Sequence, residues 1–152
     1  MSVIAFIPAR SGSKSIVDKN IKLFCGKPLI FWSLQELQNS QVDKIIVATD
    51  SQKIKRVVSN FSFSKVEIYH RKKENATDDA STESVILEYI DQSMLLDSDL
   101  FMLVQVTSPF TKLEHFNGGL DLMKDYDSVL SCVIDKKFAW KEDGTALNYD
   151  IN

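Results

Sequence analysis

Short, mainly apolar segments alternate with amphipathic segments along most of the chain. The apolar segments are rich in β-branched and aromatic residues, which is typical of strands buried on both faces of a parallel sheet. Five strands are predicted, at Val3–Ile7, Lys44–Ala48, Val66–Tyr69, Leu100–Val104 and Ser128–Val133. Four helices are predicted between them, at Leu29–Gln38, at Gln52–Asn60, from a cap at Ser81 to about Gln92, and at Leu113–Lys124. A hairpin over Phe138–Tyr149 is expected to turn at Asp143-Gly144. The alternation predicts an α/β fold with a doubly wound, mostly parallel sheet in one domain, residues 1–152.

Two sequence details concern the predicted helices. Asp50 and Ser51 precede the second helix, and either side chain is of the type that caps a helix by accepting a backbone N–H. Gly118 and Gly119 lie inside the fourth helix, where each glycine costs about 1 kcal/mol relative to alanine. Close packing of this helix against the sheet would explain the glycine pair, and we expect it there.

Charge is distributed unevenly along the chain. The protein has 152 residues, of which 44% are hydrophobic, and a net charge of −3. The first 30 residues contain five cations and one acid, a net +4, so the remainder carries −7. The acidic total argues against a general nucleic-acid-binding protein, whereas the local basic cluster favours a small anionic ligand. A solvated charged surface is the alternative.

The sequence has the features of neither a membrane protein nor a secreted one. It has no run of 18 apolar residues, and its first residues lack the basic segment and long apolar region of a signal peptide. Cys25 and Cys132 are 107 positions apart, a spacing that fits neither a zinc knuckle nor a CxxC redox pair. These observations predict a reduced, cytoplasmic protein without a membrane partner.

A basic loop follows the first predicted strand, at the carboxyl end where parallel sheets bind ligands. The same rule nominates the loops Thr49–Ser51 and Gln105–Thr111. The candidate phosphate-binding residues of the first loop are Arg10, Ser11, Gly12, Ser13, Lys14 and Lys19. They offer a planar guanidinium, hydroxyls, backbone N–H groups and ammonium charges, the donors that a polyphosphate requires. The loop matches neither the Walker A nor the GxGxxG pattern, and an ordinary basic surface loop is the alternative.

A series of short motifs resembles one enzyme family in sequence and in order. The motifs are Ile7-Pro-Ala-Arg-Ser-Gly-Ser-Lys14, Lys19-Asn20, Gly26-Lys-Pro-Leu29, Val47-Ala-Thr-Asp50, His70-Arg71, Asp79-Ala-Ser-Thr82 and Leu103-Val-Gln-Val-Thr-Ser-Pro109. Together they resemble the acylneuraminate cytidylyltransferases, and the resemblance covers essentially the whole chain.

The resemblance implies a nucleotidyltransferase (Rossmann-like) fold. It also implies a reaction in which CTP and a nine-carbon 2-keto sugar acid give a CMP-sugar and pyrophosphate with Mg²⁺, in a homodimer. By motif, the implied catalytic residues are Arg10, Lys14 and Lys19. The implied nucleotide-binding residues are Arg10, Ser11, Gly12, Ser13, Lys14, Lys19, Asn20, Arg71 and Ser81. The implied sugar-binding residues are Gln105, Thr107 and Ser108. No metal ligand is assigned.

Structural alternatives accompany several of these residues. Arg71 is also consistent with a surface position beside two lysines, and Ser81 with a helix cap alone. Asp50 is interpreted first as a helix cap and second as a ligand. The Thr-Ser-Pro sequence at 107–109 is also typical of a turn that ends a strand.

Departures from the family pattern leave other functions open. Val106 and Thr111 stand where the family usually has Pro and Arg, which leaves legionaminate, pseudaminate or Kdo (3-deoxy-manno-octulosonate) as alternative sugars. Family members commonly continue further, so we expect the chain to be the N-terminal portion of a longer catalytic domain or a truncated relative. A nucleotide-binding remnant without turnover and an interaction module are the alternatives outside catalysis.

Overall fold

A sheet of four parallel strands lies at the centre of this computed structural model, which describes residues 1–12, 16–72, 75, 81–135 and 137–148. In chain order the elements are β1 (Val3–Pro8), β2 (Leu23–Phe24), β3 (Lys27–Pro28), α1 (Leu29–Asn39), β4 (Lys44–Thr49), α2 (Gln52–Ser59), β5 (Val66–His70), α3 (Thr82–Gln92), β6 (Leu100–Leu103) and α4 (Leu113–Leu122). The central sheet has the order β5-β4-β1-β6, and β2 and β3 form a small antiparallel pair. The four helices and the first four strands are therefore confirmed, with ends that differ from the prediction by at most two residues.

Strand β1 lies between β4 and β6 and contributes to the core on both faces of the sheet. Ala5 and Ile7 point to one face and pack with buried residues of α1, α2 and α4. Ile4 and Phe6 point to the other face, where Val85 of α3 joins them. Side chains that alternate between two covered faces explain why the strand is apolar throughout. This three-layer arrangement confirms the doubly wound α/β prediction.

The N-terminus of α2 is capped by Ser51 and not by Asp50. The Ser51 hydroxyl accepts the backbone N–H of Ile54 at 3.3 Å. The carboxylate of Asp50 lies instead against Ser11, in the loop after β1. The first interpretation of Asp50, as the helix cap, is therefore wrong.

The fifth predicted strand, Ser128–Val133, is absent, because the segment forms no strand in the part of the chain that the structure describes. Leu130 and Val133 are each 88% exposed, and Ile134 is 94% exposed. A strand is stable only when its backbone pairs with a neighbour and its side chains pack on a face. The strand predicted from local composition is therefore wrong, because the segment has no strand neighbour among the described residues.

The predicted hairpin in the tail is reduced to one turn with one bridge. Trp140 and Ala146 form an isolated antiparallel bridge, and Gly144 adopts a φ of +82°, which suits glycine. Tyr149, the predicted last residue of the hairpin, lies outside the described residues. The turn at Asp143-Gly144 is confirmed, whereas the strands on either side of it do not extend beyond this bridge in the described part of the tail.

The glycine pair of α4 does not mark a close approach to the sheet. A Cβ added to Gly118 or Gly119 would meet no atom within 4 Å in the described structure. The expected close packing is therefore wrong. Among the described helices, none is long and apolar enough to cross a membrane.

Candidate active site

A cavity of about 180 Å³ opens at the carboxyl ends of β1, β5 and β6. Its lining comprises Pro8, Arg10, Lys19, Asn20, Arg71, Thr82, Val85, Gln105, Val106 and Thr107. These residues come from the loops after three strands and from the first turns of α3. The position agrees with the rule that parallel sheets bind ligands beyond the carboxyl ends of their strands.

The electrostatic character of this cavity is cationic. Arg10, Lys19 and Arg71 line it, and its described lining includes no carboxylate. Three positive charges that converge on one small cavity raise the local potential and attract an anion. Helix α3 also begins at this cavity, with Thr82, so the positive end of the helix dipole adds to the same potential.

Arg71 is the most deeply buried of the three cations, with 4% of its surface exposed. One guanidinium nitrogen, Nη2, donates to the carbonyl of Asn75, while the buried Nε has no hydrogen-bond partner among the described residues. Burial lowers the pKa of Arg71 below its ordinary value, against the opposing charges of Asp50 and Glu88, but arginine stays protonated at neutral pH. A buried donor without a partner is costly, and an acceptor on a bound ligand would satisfy it. The surface position considered for Arg71 is wrong.

A buried carboxylate holds the segment that carries Arg71. Glu88 of α3 accepts the Tyr69 hydroxyl at 2.7 Å and the Lys72 backbone N–H at 3.0 Å, and it also accepts the Asn75 amide. Burial raises the pKa of Glu88, but these hydrogen bonds outweigh burial and leave it below the ordinary value. Glu88 is therefore ionised at neutral pH and holds this segment through the Tyr69 side chain before Arg71 and through the Lys72 backbone after it.

The loop after β1 is anchored at several points. Asp50 accepts the Ser11 backbone N–H at 2.8 Å and also the Ser11 hydroxyl. Asn20 is buried and donates its side-chain amide to the Arg10 carbonyl at 3.0 Å. Asp18, in the left-handed region with φ of +53°, pairs with Lys53 of α2. These contacts give the loop a defined path, in which Arg10 and Lys19 both reach the cavity.

The structure brings together some of the predicted site residues and separates others. Those that line the cavity are Arg10, Lys19, Asn20, Arg71, Gln105 and Thr107. Ser11 and Gly12 are exposed beside it, and Ser81 caps α3 by accepting the Ser84 N–H at 3.0 Å. The cap considered for Ser81 is therefore present. Ser13 and Lys14 lie outside the described residues.

Ser108 lies in a different cavity. A second space of about 500 Å³ is bounded by β6, by α4 and by residues 129–131. Gln105 borders both cavities, whereas Ser108 borders only the second of them. Gln105 is therefore common to the lining of the cationic cavity and that of the larger, more apolar one.

Three residues of this region were missed by the sequence reasoning: Thr82, Val85 and Glu88. Thr82 follows a predicted helix cap and begins the helix at the cavity, and that position was the available signal. Glu88 lies three residues after Val85 on the inward face of α3, where an acid is unusual. An acid on an otherwise apolar helix face was the signal that would have indicated a buried network.

Solved structures share the fold of this chain. The structure of CMP:2-keto-3-deoxy-manno-octonic acid synthetase complexed with CTP matches with a TM-score of 0.68 at 22% identity, over 85% of this chain and 50% of that one. The structure of 4-diphosphocytidyl-2C-methyl-D-erythritol synthase from Anaerococcus prevotii matches with a TM-score of 0.65 at 15% identity, over 99% of this chain and 63% of that one. The architecture is therefore that of an α/β nucleotidyltransferase.

Sequence relatives place the chain within that class. The cytidylyltransferase family profile matches residues 4–136, and the chain belongs to this family. It is 35% identical to N-acylneuraminate cytidylyltransferase B of Danio rerio over 140 residues, 91% of this chain and 32% of the relative. It is 34% identical to CMP-N,N'-diacetyllegionaminic acid synthase of Legionella pneumophila over 127 residues, 82% of this chain and 54% of the relative. The chain thus spans about a third to a half of the length of these relatives.

Proposed function

We propose that this protein binds CTP in the cationic cavity and transfers its cytidylyl group to a 2-keto sugar acid of the sialic-acid type. The products are a CMP-sugar and pyrophosphate. The observation that carries the proposal is the convergence of Arg10, Lys19 and Arg71 on one cavity whose described lining has no acid. Relatives whose names specify N-acylneuraminate and CMP-legionaminic acid synthesis support the choice of reaction.

The chemistry is an in-line displacement at the α-phosphorus of CTP. The anomeric hydroxyl of the sugar acid forms the new P–O bond through its oxygen and releases its proton to solvent. The bond between the α-phosphorus and the bridging oxygen of the β-phosphate breaks, and pyrophosphate leaves. Arg10 and Lys19 bind the triphosphate and offset the negative charge that grows on the leaving pyrophosphate. Fixed cations of this kind act by positioning and charge stabilisation, without a covalent intermediate.

The remaining residues are proposed to define two subsites. Asn20, Arg71 and Ser81 bind the nucleoside part. The Nε of Arg71, which has no hydrogen-bond partner among the described residues, supports this assignment because it requires an acceptor. The sugar acid is bound by Gln105, which lines both cavities, by Thr107, which lines the cationic cavity, and by Ser108, which lines the larger one. Gly12, Ser13 and Lys14 complete the phosphate contacts in this proposal. Ser11 belongs to the same loop, but its N–H and its hydroxyl both donate to Asp50, so Ser11 is proposed to position the loop.

Mg²⁺ is the proposed ion that accompanies the triphosphate. Mg²⁺ prefers carboxylate and phosphate oxygens, but the described lining of the cavity has no carboxylate. The described residues also contain no group of three or more His, Cys, Asp or Glu side chains placed to hold a metal ion. These residues alone do not fit a protein-held ion, so no residue is assigned to it and no step above depends on it.

We also propose a homodimer for the full-length protein, a cytoplasmic location and a single nucleotidyltransferase domain that includes residues 1–152. The resemblance to the family supports the dimer and the domain. The location follows from the widely separated cysteines, both of which are free thiols in the structure. Light scattering of the purified protein tests the oligomeric state directly.

A two-stage experiment tests the function. Calorimetry first measures binding of CTP, with GTP as the matched control nucleotide. CTP with Mg²⁺ is then mixed with N-acetylneuraminate, legionaminate, pseudaminate or Kdo, and pyrophosphate release and CMP-sugar formation are measured. CTP binding with product from one acid supports the proposal and identifies the sugar. CTP binding without any product favours the nucleotide-binding remnant, and absence of CTP binding contradicts both.

A further inference from the structure

Asp50 is an acid beside the active site whose function the reaction does not explain. It directly follows β4, it is half-buried, and it does not line the cationic cavity. The helix that begins after it is capped by Ser51. Asp50 is therefore not needed to begin α2, and its position requires another explanation.

Both carboxylate oxygens of Asp50 bind one residue of the phosphate loop. Oδ1 accepts the backbone N–H of Ser11 at 2.8 Å, and Oδ2 accepts the Ser11 hydroxyl. Backbone pairing between β1 and β4 ends just before this point, with the Ala9 N–H donating to the Ala48 carbonyl at 2.9 Å. The Asp50 side chain thus extends the hydrogen bonding between β1 and β4 into the loop that begins with Arg10.

The charge of Asp50 also acts on Arg71. The backbone N–H of Arg71 donates to the Thr49 carbonyl at 3.2 Å, which brings the start of the Arg71 segment next to Asp50. Burial raises the pKa of Asp50, but the hydrogen bonds from Ser11 and the positive charge of Arg71 leave it below the ordinary value. Asp50 is therefore ionised at neutral pH, and it offsets one of the charges of a strongly cationic site.

We propose that Asp50 is a positioning residue of the active site, which fixes the phosphate loop through Ser11. The proposal rests on the proposed function, since it assumes that the loop binds CTP. Asp50 does not touch the substrate in this account. It acts by keeping the Arg10 backbone in place before the nucleotide arrives, so that less ordering is required on binding.

The test compares four variants by CTP calorimetry. Asp50→Ala removes the anchor and should raise the Kd for CTP about tenfold or more, the scale of a charged hydrogen bond. Asp50→Asn keeps an oxygen for the Ser11 N–H but loses the charge, so we expect a smaller rise. Ser11→Ala removes one of the two contacts. The matched control is Ser51→Ala, which should lower the Tm through loss of the helix cap and leave the Kd within about twofold.

Two readouts separate positioning from general destabilisation. If Asp50 acts through Ser11, the double variant Asp50→Ala/Ser11→Ala binds CTP no more weakly than Asp50→Ala alone. Hydrogen exchange should accelerate at the Ser11 amide in Asp50→Ala but not in Ser51→Ala. Unchanged CTP affinity in both Asp50 variants, or additive effects in the double variant, would overturn the proposal while the proposed function stands. Failure of the wild-type protein to bind CTP would overturn the proposed function and, with it, the role of Asp50 in binding.

Discussion

Strand β1 and the segment after α4, residues 128–134, have similar local sequences, but only β1 forms a strand in the described structure. Val3–Pro8 and residues 128–134 are both rich in β-branched and other apolar residues. In β1, Ala5, Phe6 and Ile7 are fully buried between two neighbouring strands. In the later segment, by contrast, Ile134 is 94% exposed. The comparison shows that β propensity produces a strand only where neighbours supply both backbone partners and a covered face.

The loop after β1 and the tail from residue 137 to residue 148 differ in the sequence separation of their hydrogen-bond partners. Around the active site, Ser11 and Asp50 are joined across 39 positions of sequence. In the tail, the side chain of Asn148 binds the backbone of Lys137 and Ala139, at most 11 positions away. Long-range contacts couple a loop to the stability of the whole sheet, whereas local contacts do not. The anchored residues at the start of the phosphate loop, Arg10 and Ser11, are therefore expected to keep their positions before a ligand binds.

Truncation of one apolar side chain in each region tests this difference in burial and should give the largest effect. Phe6→Ala should lower the free energy of unfolding by about 3–5 kcal/mol, because it removes a fully buried ring. Val133→Ala should change it by less than about 0.5 kcal/mol, because its side chain is 88% exposed. Urea denaturation measures both. Equal losses would show that residues 128–134 are buried in solution.

The next effect concerns the cations of the phosphate loop. Lys19→Ala should weaken CTP binding by about 1.5–3 kcal/mol, the scale of a hydrogen bond to a charged group, since Lys19 lines the cavity. Lys22→Ala is the matched control, because Lys22 is three positions further along and does not line it. Calorimetry compares the two variants. A loss that is the same for both would indicate a general charge effect and remove Lys19 from the site.

Acidification should weaken the buried network behind Arg71. The folded-state pKa of Glu88 is below its ordinary value, so its ionised form is favoured by folding. Its stabilisation is complete above the unfolded-state pKa of about 4.3 and is lost as the pH falls below it. Glu88→Gln should cost about 1–3 kcal/mol at pH 7 and reduce this acid sensitivity, unlike Asp91→Asn on the exposed part of the same helix. Denaturation curves at pH 7 and pH 3 that shift equally in all three proteins would exclude Glu88 as the cause.

The smallest expected effect concerns two glycines in different settings. Gly118→Ala should stabilise the protein by up to about 1 kcal/mol, because the residue is helical and an added Cβ meets no atom within 4 Å. Gly144→Ala should destabilise the turn of the tail by about 1 kcal/mol, because φ is +82° there. Thermal melts are expected to move in opposite directions. A decrease in Tm for Gly118→Ala would instead support close packing of α4 against the sheet.

Local sequence patterns predicted the four helices and the four strands of the central sheet, β1, β4, β5 and β6. The buried strands are apolar on both faces, and α2 and α3 begin at their own serine caps, so these elements are encoded within a few residues. The cationic loop was also visible directly, because Arg10 and Lys19 follow a buried strand. Parallel sheets bind ligands beyond the carboxyl ends of their strands, so the position of this loop after β1 predicted a binding site without knowledge of distant contacts.

Only the tertiary structure determined which polar residues are partners and which apolar segments find a neighbour. Asp50 had the sequence of a helix cap, but Ser11, brought close by the pairing of β1 with β4, takes both of its oxygens. The local sequence left a surface position open for Arg71, yet only 4% of its surface is exposed. Residues 128–134 had the sequence of a strand and lack a neighbour in the described structure. The physical reason is common to all three, because burial and pairing depend on groups that are far apart in the chain, and local propensity carries no information about them.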